Sequence, residues 1–470
     1  MDSTRLSVTE QRPAIQSILW ACISSWYYGY HLSELNYPAE SLTCLPRAHL
    51  PPSKLPLCIG IDSDKYGFVT AIYTVGGLVG SLISSWMVEH HGVKGGLTWT
   101  AYLNLFGAIV MTMATRWWIL AFGRLLAGVS SGIAICLVPP FLSSIARASP
   151  QLSTRSGQVG TLHQMAIVIG LFTAQAAGMI FTGAKGDIEG NWRYVTALSG
   201  LVSFVQIGFA SSIYSPPAGD DKAARVSRRD AEDGLSPVPE GDEGSPLLPE
   251  ARDGHHVENQ LTLRELLSNS SMRGPTLLCA AILALQQLCG VNAVMFYSAP
   301  VLKPLLPSLA GAIGIGITFI NALMTVVAIF LVDRLGRKPL LLASIGGMTV
   351  MSALLAYGLN NGVSWLSATA IILFIVAYSV GLGPIPFLLV SETVPAPGIP
   401  ALASLALSLS WISAFLIAIL FLKLRDALST PIDPRDPLSD RKGEGRVFYV
   451  FTGMCLLTAL LVSRGLRQKN

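Results

Sequence analysis

Three uncharged amides, Gln286, Gln287 and Asn292, stand in the stretch QQLCGVNAVMFYSAP (286–300), inside an apolar run with no charge between Arg273 and Lys303. An amide in hydrocarbon costs roughly 1–3 kcal/mol unless its hydrogen bonds are made. The expected setting is therefore a wet cavity or a contact between helices. An amide carries both donors and an acceptor, as a hydroxyl does, so several amides around one cavity suit a neutral polyol. On a regular helix, at about 100° per residue, Gln287 and Asn292 point about 140° apart. Gly290 lies between them, where a helix can locally unwind. A loosened polar helix at mid-depth is a recurrent way to build a site in a membrane.

Ionisable groups form a second set. Tyr27, His31 and Glu34 recur at spacings of four and three, which puts them on one helix face. His31 and Glu34 fall near the end of an apolar run, and Arg124 falls inside another; charges so placed must pair and are functional candidates by default. A histidine there can titrate near neutral pH. Gly123, Gly128 and Gly132 would let a neighbouring helix approach closely. Pro384 and Pro386 cannot continue a regular ladder, so the helix carrying them kinks or breaks.

The elements that position these groups are membrane helices. Of the 470 residues 51% are hydrophobic and 13% charged, against roughly 25% charged in a soluble domain. Apolar runs of about 20 residues recur end to end. Twelve are expected, at 14–36, 66–88, 96–115, 118–143, 158–181, 194–214, 275–300, 309–332, 339–358, 366–391, 399–422 and 447–465; they are called spans 1 to 12 below. The runs are too long for barrel strands, so the fold class is all-α membrane protein. The first run is expected to stay as a helix and not to be cleaved as a signal. A modest lysine and arginine bias favours both termini in the cytoplasm. Residues 215–273, rich in Pro, Gly and charge, form the one polar insert, with a disordered middle expected. They separate an N-terminal bundle, 1–214, from a C-terminal one, 274–470. An amphipathic helix is expected at 261–267. Glu243, Leu247 and Leu248 fit an acidic dileucine signal of the type that clathrin-adaptor complexes read on the way to vacuoles. Cys44 and Cys58 share one loop and could pair in an oxidising lumen. No nucleophile–base or metal-ligand constellation is present, so no enzyme, metal or cofactor is expected. Nothing points to nucleic acid, and a monomer is expected.

QQLCGVNAVMFYS resembles the seventh helix of the sugar porter family of the major facilitator superfamily. LVDRLGRKPLLL (331–342) resembles that family's D-R-x-G-R-[RK] loop between helices 8 and 9, through Asp333, Arg334, Gly336, Arg337 and Lys338. The resemblance runs over all twelve spans and implies two six-helix halves around a central sugar site. It implies that Gln164, Gln286, Gln287, Asn292 and Asn321 hydrogen-bond the sugar and that Phe387 and Trp411 cover its apolar face. It implies gating by the 333–338 loop with Glu392 as carboxylate partner, and a hinge at Gly290, Pro384 and Pro386. His31 occupies the position that is commonly aspartate in proton-coupled members, so His31, Glu34 and Arg124 are the proton-coupling candidates. The equivalent loop of the N-terminal half keeps Glu89, Gly92 and Lys94 but lacks the usual arginine pair. After span 4 the family's tyrosine and glutamate are replaced by Phe141 and Ser144, while Arg147 and Arg155 remain, which implies a weakened charge network in that half. The GYH…ELN pattern of span 1 is most similar to a vacuolar subgroup of fungal sugar porters. The implied activity is passive or proton-coupled carriage of a hexose-like sugar, with a non-transporting sensor or sorting factor as the alternative.

Overall fold

The computed structural model describes residues 8–43, 56–148, 156–183, 188, 190–214, 261–302, 310–395, 398–431 and 441–466, apart from a few side chains within those ranges. Among these residues ten helices are long and apolar enough to cross a membrane. One, Ser63–Thr112, is two spans in one ribbon, broken where Gly92 takes φ 68°. Counting both parts and adding Val8–Ser33 gives the expected twelve. Span 1 is Val8–Ser33, spans 2 and 3 are the two parts of Ser63–Thr112, span 4 is Trp117–Ala148, span 5 Ser156–Thr182 and span 6 Trp192–Phe209. Span 7 is built from Ser270–Gln286 and Asn292–Leu302 with a widened turn between them, and span 8 is Ala310–Leu335. Span 9 is Arg337–Asn360, and span 10 is Ser364–Val380 resumed as Ile385–Thr393. Span 11 is Ile399–Leu428 and span 12 Arg446–Gly465. A pair of two-residue antiparallel strands, Thr430–Pro431 and Arg441–Lys442, joins the last two.

The helices pair by a repeated rule. In the first six spans, 1 packs on 5, 2 on 4 and 3 on 6; in the last six, 7 packs on 11, 8 on 10 and 9 on 12. The two sets meet along span 2 against span 11 and span 5 against span 8. Advancing every number by six turns the first list into the second and exchanges the two cross-contacts, so the bundle is two similar halves.

Small residues make the tightest seams, since lipid offers no hydrophobic drive for helix pairing and close backbone approach must supply it. A Cβ on Gly128 would stand 2.1 Å from the carbonyl oxygen of Tyr73, and one on Gly132 2.1 Å from that of Gly77. Gly123 is likewise pressed on Gly107 and Met111. These three glycines therefore seat span 4 on spans 2 and 3, as their spacing predicted.

Polar ends are capped in both halves by the same device. Gly92 and Gly336 each take positive φ, and the lysine two residues on donates to the end of its half's sixth helix. Lys94 donates to the Ile213 carbonyl, and Lys338 to those of Ser463 and Leu466. The short helix Leu263–Ser268 opens on a capping box, Thr262 with Glu265, and buries Leu266 against Gly398 at the start of span 11. This is the amphipathic helix expected at 261–267. Cys58 is disulfide-bonded, while Cys22, Cys136, Cys279, Cys289 and Cys455 are free; Cys44, the expected partner, lies outside the described residues. So do Arg155 and the dileucine residues Glu243, Leu247 and Leu248.

Candidate functional site

Span 7 changes winding where its amides lie. Gln287–Val291 forms one π turn, with Gly290 at φ 98°. The regular-helix expectation for Gln287 and Asn292 fails there. A π turn carries an extra residue, which brings positions five apart onto one face. Asn292 Nδ2 accordingly donates to Gln287 Oε1 at 2.7 Å, and Gln287 Nε2 donates on to Ser410 Oγ of span 11 at 2.9 Å. The turn is widened, and the backbone leaves helical values at Gly290 itself. Phe451 of span 12 fills the space that a Cβ on Gly290 would need.

Gln286 points elsewhere. Its Nε2 donates to the carbonyl oxygens of Leu382 (2.7 Å) and Gly383 (3.0 Å). Those carbonyls are freed because span 10 breaks at 381–384 before Pro384. Gln286 thus ties the widened turn of span 7 to the break in span 10, and its Oε1 is buried without a partner. Pro386 is not at the break but in the first turn of the resumed helix, where a missing N–H costs nothing. Asn321 of span 8 accepts from Ser379 Oγ of span 10 at 2.8 Å. Trp411 of span 11 sits at the meeting of the halves, edge-on to Tyr28 (5.6 Å) and Tyr73 (6.2 Å), over Gly77 of span 2. Phe387 is half-buried on the resumed part of span 10. Gln164 on span 5 is half-buried with no side-chain partner among the described residues, while its neighbour His163 is bonded through Nδ1 to Ser25 Oγ of span 1 at 2.7 Å.

The ionisable set is sealed inside the first half: His31 and Glu34 are 0% exposed and Arg124 1%. Arg124 Nη1 donates to Glu34 Oε1 at 2.7 Å and to the His31 carbonyl at 2.7 Å, and its guanidinium lies 4.6 Å from the Tyr73 ring centre. Glu34 therefore supplies the acid that Arg124 requires. His31 Nδ1 is 2.9 Å from the same Glu34 oxygen, and Nε2 is 2.6 Å from Asn104 Oδ1 of span 3. Asn104 Nδ2 faces Ser203 Oγ and the Ser199 carbonyl, so its oxygen faces the imidazole and Nε2 carries a hydrogen. The Nδ1–Oε1 contact then needs a hydrogen too, because two lone pairs would otherwise oppose each other. One Glu34 oxygen thus meets both Arg124 and His31. Tyr27, expected on the same face, instead donates to Gln206 of span 6 at 2.7 Å.

At the bundle end away from the chain termini the halves are in contact. Tyr66 of span 2 lies 6.3 Å from Tyr297 of span 7, whose hydroxyl donates to the Ala418 carbonyl, and Tyr66 donates to that of Leu35. At the termini end Arg337 and Glu392 form the expected pair at 2.8 Å, with side chains 39% and 42% exposed. Arg334 is exposed, Gly336 makes the bend, and the Asp333 side chain lies outside the described residues. Sequence reasoning missed Asn104, Gln206 and Gln175. Each is an uncharged amide within a span, the signal that singled out Gln286, and each is buried. It also missed Tyr28 and Tyr378, because tyrosine in a span carries no such mark.

Two similar six-helix halves, with buried amides beside the breaks in spans 7 and 10, mark a polytopic membrane protein. The chain belongs to the sugar (and other) transporter family, whose model matches residues 17–466; it is thus a transporter and not an enzyme. It is 29% identical to a probable metabolite transport protein of Saccharomyces cerevisiae, over 94% of this chain and 90% of that one. It is 28% identical to the human facilitated glucose transporter member 3, covering 87% and 83%. It is 24% identical to vacuolar protein sorting-associated protein 73 of Saccharomyces cerevisiae, covering 88% of each. Its fold matches the crystal structure of a D-xylose-proton symporter with a TM-score of 0.73 at 18% identity, over 96% of this chain and 98% of that one.

Proposed function

We propose that this chain carries a neutral hexose-like sugar across a membrane by alternating access, coupled to a proton held by His31 and Glu34. Gln164, Gln287, Asn292 and Asn321 hydrogen-bond the hydroxyls, and Trp411 and Phe387 cover the ring. Gln286 serves first as the tie between the two broken helices. At about 0.5–1.5 kcal/mol net per bond, several such bonds supply the roughly 4 kcal/mol of millimolar affinity. No cluster of cations faces the junction among the described residues, which favours a neutral cargo over a carboxylate or phosphate.

What carries the coupled reading is the buried contact of His31 Nδ1 with the Glu34 oxygen that also holds Arg124, a contact we read as sharing one proton. Removing it sets lone pairs against each other at 2.9 Å. One side chain must then move, and Glu34 also holds Arg124. Proton loss is in this way linked to how span 1 sits on span 4. Arg337 with Glu392 braces the termini end, and the termini are cytoplasmic, so the contact of Tyr66 with Tyr297 closes the lumenal side. The halves divide around 215–273. The likeness to a sorting-associated yeast protein and the dileucine sequence support a vacuolar membrane.

The test is uptake of labelled hexoses into proteoliposomes with and without a pH gradient. The wild type accumulates sugar only with the gradient. The double variant His31→Asn, Glu34→Gln equilibrates sugar but no longer accumulates it. Wild-type uptake that stops at equal concentrations under a gradient overturns the coupling. The second reading, a sorting factor that binds sugar without moving it, is favoured by that yeast relative and by the missing arginines of the loop between spans 2 and 3. Its outcome is sugar binding with no flux.

A further inference from the structure

Among the described residues, the span tyrosines that are not surface-exposed account for their hydroxyls with one exception. Tyr27 donates to Gln206, Tyr30 to the Val195 carbonyl, Tyr66 to that of Leu35, Tyr73 to that of Tyr28 and Tyr297 to that of Ala418. Tyr378 accepts from Gln286. Tyr28 alone among these span tyrosines makes no side-chain hydrogen bond with the described residues. A polar group left unpaired in an interior calls for an explanation, and three observations give one.

Tyr28 is only half-buried, although its ring lies between spans 1 and 11, edge-on to Trp411 at 5.6 Å. Its ring is thus set where the two halves meet, against Trp411 of the second half. Its backbone is held in place, since its carbonyl takes the Tyr73 hydroxyl at 3.2 Å. Beside it lies Trp411, whose indole N–H likewise has no hydrogen-bond partner among the described residues. On the opposite side, Gln287, Asn292 and Ser410 already spend part of their capacity on one another.

We propose that the Tyr28 hydroxyl is a ligand for one hydroxyl of the transported sugar and a determinant of which sugar is accepted. The first half thereby contributes a phenol, which both donates and accepts, opposite the amides of the second half. A sugar bridging the two would hold the halves together at the site. The inference rests on the carrier reading above.

The experiment pairs a deletion on the protein with deletions on the ligand. Zero-trans uptake into proteoliposomes is measured for a hexose and its monodeoxy derivatives, with wild type and Tyr28→Phe. The phenylalanine keeps the ring against Trp411, and a thermal melt in detergent reports whether the fold is kept. For the parent sugar the half-saturation concentration rises about three- to tenfold in Tyr28→Phe, the size of one neutral hydrogen bond. For one monodeoxy sugar, wild type and variant are equal, and that sugar identifies the hydroxyl recognised. Equal half-saturation for the parent sugar overturns the proposal. So does a uniform loss across the whole panel, which would mean that the hydroxyl only supports packing. A wild type that moves none of the sugars overturns the carrier reading itself, and this inference with it.

Discussion

Glu34 and Arg124 are the residues whose removal should be felt most. Both are fully buried and face each other at 2.7 Å, and each has one buried polar atom, Oε2 or Nε, with no partner. Removing one member of a buried pair strands the other charge, typically at about 3–5 kcal/mol, whereas replacing both is often neutral. Arg124→Met should therefore lower the melting temperature sharply, Glu34→Gln should lower it less, and the double variant should recover most of the loss of the first. Thermal unfolding in detergent checks this; losses that simply add would mean the two are not directly coupled. Much of this cluster was legible, because a cation inside a span demands an acid and Glu34 shares a helix face with His31. Asn104, which fixes the imidazole, escaped notice. It lies 73 positions from His31 in sequence, and only the packing of span 3 brings it there.

The widened turn of span 7 shows how an element can overrule regular geometry. From sequence, Gly290 marked the place of an irregularity. Its form was not legible, because it depends on Phe451, far along the chain, occupying the side of the turn that glycine leaves empty. Positive φ costs a non-glycine residue roughly 1–2 kcal/mol, and a Cβ at 2.6 Å from the Phe451 ring adds a clash. Gly290→Ala should lower both thermal stability and the rate of sugar exchange. Gly274→Ala, in the same span with nothing near its Cβ position, should change neither. Comparable behaviour of the two variants would remove the special role of the turn. The break in span 10 was read from its prolines and found at 381–384, ending on Pro384, where Gln286 satisfies the carbonyls of Leu382 and Gly383.

Across the whole molecule the two halves repeat in helix pairing and in the glycine–lysine cap, yet differ in charge. Both loops keep the residues with a local structural task, Gly92 with Lys94 and Gly336 with Lys338. Only the second half keeps the arginine that reaches a neighbouring helix, Arg337 to Glu392. The span count and the two-half plan could be read from apolar runs, since hydrocarbon thickness sets their length. The contacts between halves, Trp411 on Gly77 and Phe172 on Phe319, could not, because lipid-facing and partner-facing residues are equally apolar. The central claim is that polar groups meeting between the halves hold a sugar that is passed from one side to the other. Counterflow of labelled hexose in proteoliposomes tests it most directly, since exchange needs a working site and both access states but no gradient. The account predicts saturable counterflow by the wild type and a fall of about tenfold or more in Gln287→Ala, Asn292→Ala, which removes two or more bonds to the sugar. Wild-type counterflow left intact by that double variant would contradict it.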